Sequence, residues 1–195
     1  MPEAMLNELR QEAEITKRLL DRVPEDKLDW RPQPKSMSLG QLALHVASIP
    51  SDLSRLAQLD QFDAANANFE PAMPESKAMV LSALDKGLSE ASEYLASLSP
   101  DAAGAPWRLT LRGAEVFSMP RAVMLRSLLL NHWYHHRGQL SVYLRLLDVP
   151  IPVISDAVRT RIPSPDGGAK LNNRGIRCPS RRPHTVDSQE HRRIL

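Results

Sequence analysis

The stretch Asn131-His132-Trp133-Tyr134-His135-His136-Arg137-Gly138-Gln139 decides how this chain reads. His132 and His136 are four residues apart, so on a helix they share one face and can hold one metal ion between them. Leucines continue the pattern on both sides. Leu125, Leu128, Leu129, His132, His136, Leu140 (or Gln139), Tyr143 and Leu147 form an inward line on a helix from Pro120 to about Leu147. Pro120 suits a helix start, and Pro150 and Pro152 close the segment.

A third histidine, His45, lies far upstream in Leu39-Gly40-Gln41-Leu42-Ala43-Leu44-His45-Val46. Ser38 with Gln41 makes a capping-box pattern, and the helix it opens runs to about Leu59. Leu42, Val46, Ile49 and Leu53 form its core stripe, with His45 pointing inward beside Leu42 and Ile49. Pro50 is expected to bend or break this helix. Buried imidazoles need partners, and one divalent cation satisfies three at once. Three histidines also leave a coordination position open, the mark of a catalytic site. Zinc, nickel, iron or copper all suit imidazole.

His135 is turned by about 100° from His136 on a helix, so it is read as flanking the ligands or supporting them. Gln139 and Asn131 are candidates to orient ligand rings through the second ring nitrogen. Arg137 reads as a solvated charge, and Gly138 as a place where another helix comes close. No acid adjoins the histidines in sequence. Glu115 and Asp52 are candidate bases whose positions the sequence leaves open.

Two further helices complete the pattern. Residues 3–23 carry Leu6, Leu9, Ala13, Ile15, Thr16, Leu19 and Leu20 on one stripe, ended by Pro24. Residues 75–98 carry Met79 (or Val80), Leu81, Leu84, Leu88, Tyr94, Leu95 and Leu98. Residues 25–37 and 60–74 read as irregular connectors. Trp107–Arg112 alternates, as a short strand or extended arm turning at Gly113. Four helices of about 20 residues without long strands predict an all-α four-helix bundle.

The formal net charge of +2 conceals an asymmetry. Residues 164–195 hold seven basic and three acidic side chains, which leaves 18 basic and 20 acidic residues in 1–163. The mildly acidic domain gives no reason to expect nucleic acid as a partner. The basic stretch lacks the interleaved aromatics of a nucleic-acid surface, and its Gly, Pro and Ser content predicts disorder. No apolar run reaches the roughly 18–20 residues of a membrane span. Glu3, Glu8, Glu12 and Glu14 argue against a signal peptide, and the single cysteine, Cys178, excludes an internal disulfide. A cytoplasmic protein is the expectation.

The run from His132 to Leu140, followed by Tyr143-Leu144-Arg145-Leu146-Leu147-Asp148-Val149-Pro150-Ile151-Pro152, resembles the C-terminal signature of the DinB/YfiT-like superfamily. Leu28-Asp29-Trp30-Arg31-Pro32 and Ser36–His45 are similar to that family's approach to its second helix. The likeness covers about residues 1–155 and leaves 156–195 as an irregular basic tail, where family chains commonly stop sooner. It implies an up-down-down-up bundle and a nickel- or zinc-type ion on His45, His132 and His136. It also implies a homodimer. Some relatives are metal-dependent thiol S-transferases or hydrolases, which would make a small thiol a substrate. A non-catalytic, stress-related carrier of a metal or small ligand is the alternative.

Overall fold

The computed structural model describes residues 2–67 and 72–152. The expected disorder of 156–195 falls outside them. Helix α1 spans Pro2–Leu20, α2 Leu39–Gln58 and α3 Lys77–Ser97. A short α4, Pro100–Gly104, follows. The last helix is continuous but not uniform. It begins as α5, Arg121–Met124, widens into π-helical turns over Leu125–Asn131, and continues as α6, His132–Leu146.

Local chemistry explains the helix starts. Ser38 accepts the Gln41 amide at 3.1 Å while Gln41 Oε1 accepts the Ser38 amide at 2.9 Å, the reciprocal bonds of a capping box. Ser76 and Ser99 cap α3 and α4 by accepting the amides of Met79 and Ala102. On α3 the core stripe is Val80, Leu84, Gly87, Ala91 and Leu95, so Val80 takes the inner seat and Met79 faces out. The core joins all four long helices with Trp107 and Trp133, both fully buried.

Contacts give the relative directions. Gly87 lies against Ala47 and Ser51, Arg55 pairs with Glu90, and Tyr94 donates to the Ala57 carbonyl, so α2 and α3 run the same way. Trp133 donates to Val46 O and Tyr143 to Met37 O, so α2 and α6 run oppositely. Lys17 pairs with Asp85 while Lys77 reaches Asp21 O, so α1 and α3 are also opposed.

The all-α expectation needs correcting. A three-stranded sheet packs at the C-terminal end of α2, in the order β1 (Gln61–Asp63), β2 (Pro106–Leu111), β3 (Ala114–Pro120). β1 and β2 are parallel, while β2 and β3 are antiparallel with an irregularity at Leu109/Thr110. The connector read as irregular thus contains a strand. Its Asp63 carboxylate accepts the amides of Ala65, Arg112 and Gly113 at 2.8–2.9 Å. Arg112 and Gly113 both have positive φ, 52° and 82°, as a tight hairpin turn requires. Trp107 Nε1 donates to Leu56 O, and the buried Arg121 donates to the carbonyls of Ala57 and Leu59 and pairs with Asp60. These bonds fasten the sheet to the bundle.

Pro50 and Gly138 can now be placed. Pro50 does not break α2, which continues to Gln58. A proline removes one helical donor, and a donor from another helix replaces it. Gly138 is not a point of close helix approach: a methyl group there would meet nothing within 4 Å.

Candidate metal centre

The π-helical turns over Leu125–Asn131 lead directly into the histidine-bearing α6. From Leu129 an inward line at helical spacing can pass through His132 or through Trp133, and both routes reach His136. The buried positions are Leu129, Leu130, Trp133, His136, Arg137, Leu140, Ser141 and Leu144. His132 therefore lies at the edge of the core stripe, half-buried and facing α2. His136 is buried beside it, and half-buried His45 meets both from α2. π-helical turns often occur next to functional residues.

The three rings converge. One nitrogen from each of His45, His132 and His136 lies within 4.8 Å of the others. The Nε2 atoms of His45 and His132 are 3.2 Å apart. Ring centroids are separated by 5.4 Å for His45–His132, 4.5 Å for His45–His136 and 4.4 Å for His132–His136. All three pairs meet edge to face. Two nitrogens bound tetrahedrally to one zinc-sized ion, each at about 2.0–2.1 Å, would be about 3.3 Å apart. At 3.2 Å the pair either shares one proton or faces one cation.

The electrostatics favour neutral rings. Burial lowers the pKa of His45 from 6.5 to about 4, helped by repulsion from His136. Burial also takes His132 to about 4, with the other histidines contributing. His136 is lowered by burial and by His135, although its bond to Gln139 opposes this. Neutral imidazole is the form that binds metal. His136 Nδ1 donates to Gln139 Oε1 at 2.7 Å, which leaves Nε2 with its lone pair free. This is the orienting contact that metal-binding histidines commonly make. The residues fit a divalent cation in ligand chemistry, protonation and spacing.

The supporting candidates separate. Gln139 makes the expected contact. His135 is exposed, its ring edge-on to His136 at 4.9 Å. Asn131 is exposed and makes no side-chain hydrogen bond among the described residues. Neither candidate base joins the cluster. Asp52 is exposed beside Arg55, 3.9 Å away. Glu115 is exposed on β3 and is not among the residues that converge with the histidines.

Sequence reasoning missed two residues here. Arg137 is not solvated. It is buried, pairs with Glu12 Oε2 of α1 at 2.5 Å, donates to Thr16 Oγ1 at 3.3 Å, and lies over the Tyr134 ring. Trp133, between two polar neighbours, fills the core. The gap of seven residues between Trp133 and Leu140 was the available signal, because a helix must fill it from position 136 or 137.

A crystallised DinB-like protein from Bacillus cereus ATCC 10987 is 22% identical with a TM-score of 0.58, the alignment covering 78% of this chain and 97% of that one. YjoA, a DinB-like protein from Bacillus subtilis, is 14% identical with a TM-score of 0.61 over the same shares, 78% and 97%. Likeness at these identities speaks for the fold alone. No curated protein matches the chain. The DinB family model matches residues 1–160, and the chain belongs to the DinB family.

Proposed function

We propose that His45, His132 and His136 bind one divalent metal ion, nickel or zinc, and that the site acts on a small-molecule thiol or on water. The observation that carries this reading is the convergence of three neutral imidazoles from two helices, with two Nε2 atoms 3.2 Å apart. Half-buried His45 and His132 put the cluster at the surface, where a small substrate can reach it. Bound there, a divalent cation supplies Lewis-acid activation of water or of a thiol. Gln139 holds the His136 ring in the ligating tautomer.

The reaction class is thiol S-transfer or hydrolysis. One observation favours the non-catalytic alternative, a carrier of a metal or small ligand: among the described residues no carboxylate joins the cluster. Elemental analysis of protein purified without an affinity tag, followed by a thiol-transfer assay and an ester-hydrolysis assay, separates the two. Metal retained with neither activity identifies a carrier.

The helix directions described above support an up-down-down-up bundle. Val142 and Leu146, exposed one turn apart on α6, support an apolar contact in a homodimer. No helix among the described residues is long and apolar enough to cross a membrane, and the sole cysteine supports a cytoplasmic setting.

A further inference from the structure

Pro50 lies inside α2 and has no N–H to offer the carbonyl four residues before it. That carbonyl belongs to Val46, the residue after His45. Its ring also crowds that carbonyl, so the oxygen is pushed off the helix axis. A buried carbonyl without a donor is costly. Here the donor comes from outside the helix: the Trp133 indole Nε1–H reaches Val46 O at 2.9 Å, in a fully buried bond. Trp133 is the residue after His132. The freed acceptor and its donor therefore each lie one residue from a histidine of the cluster. Successive residues on a helix point about 100° apart. The bond thus occupies the core side of the gap between α2 and α6, while His45 and His132 meet across its rim.

We propose that Pro50 and Trp133 form one device that sets the separation of α2 and α6 at the level of the histidines. Pro50 frees the Val46 carbonyl, and Trp133 captures it. Trp133 is a positioning residue that acts through His132 and His45. The effect on metal affinity rests on the metal-binding reading; the effect on ring geometry does not.

Trp133→Phe keeps an aromatic ring but deletes the donor. Pro50→Ala gives Val46 back its own helical donor. In Pro50→Ala/Trp133→Phe the carbonyl is satisfied within α2, but the tie to α6 is gone. Cobalt(II) titration followed by visible absorption, together with thermal melting, reads the two effects apart. Trp133→Phe is expected to lower the melting temperature and to weaken cobalt binding about tenfold or more. The double variant is expected to recover the melting temperature but not the affinity. Recovery of both, or cobalt binding by Trp133→Phe equal to that of the unaltered protein, overturns the proposal.

Failure of the unaltered protein to bind cobalt would instead count against the metal reading. The device is then judged on metal-free protein, from NMR cross-relaxation between the His45 and His132 rings, whose centroids lie 5.4 Å apart. The signal is expected in the unaltered protein and lost in both Phe variants. Its persistence in both overturns the proposal.

Discussion

Gln139 Oε1 accepts the Nδ1 proton of His136 at 2.7 Å, one turn along α6. The contact selects the tautomer that leaves the Nε2 lone pair of His136 free. Gln139 is exposed, so its removal leaves the core intact. Gln139→Ala is expected to weaken metal binding about tenfold, in the range common for lost orienting contacts, with little change in melting temperature. Competition against a chelating dye measures the first, and calorimetry the second.

Acid should destabilise the metal-free protein. His45 and His132 have folded pKa values of about 4, below their ordinary 6.5, and His136 is shifted in the same direction. Between those values the unfolded chain binds more protons than the folded one, so stability falls as pH drops. The histidine contribution is full above about pH 6.5 and is lost by about pH 4. Saturating nickel or zinc should raise the melting temperature at pH 7, with the rise shrinking toward pH 5 as protons compete. Melting curves across this range test both trends.

The spacing of His132 and His136, the Ser38 cap and the long helices could be read directly from local pattern. The rotation of α6 could not. Leu128, Leu129 and Leu130 are consecutive, so spacing alone does not decide whether the inward line runs through His132 or through Trp133 and Arg137. Arg137 has the composition of a surface residue, and its burial depends on Glu12, 125 positions earlier in the chain. The sheet is hidden for a similar reason: β1 is three residues long and becomes a strand by pairing with Arg108–Thr110. His45 joins His132 across 87 positions. That meeting was legible because chemistry demanded a third ligand on an inward face.

The pair Arg137–Glu12 bridges α6 and α1. Removing Glu12 leaves the Arg137 charge buried, and removing Arg137 leaves a half-buried Glu12 without its cation. Arg137→Ala should therefore destabilise the protein by about 3 kcal/mol, the lower part of the range for breaking a buried ion pair. Arg137→Met with Glu12→Leu removes both charges and should cost much less. Urea denaturation of the two variants decides whether charge burial or lost packing dominates.

Gly138 sits mid-helix with open space where a methyl group would stand. Gly138→Ala is expected to stabilise the protein by about 1 kcal/mol through helix propensity alone. Metal affinity should not change. A fall in melting temperature would show that the glycine is needed for a contact absent from the single chain.

The most direct test is metal stoichiometry in tag-free protein bearing His45→Ala, His132→Ala or His136→Ala, measured by elemental analysis after dialysis against nickel or zinc. The unaltered chain should retain one ion per molecule, and each single variant should lose it while keeping its helical circular dichroism. Equal metal content in all four proteins, or none in the unaltered one, would contradict the three-histidine centre.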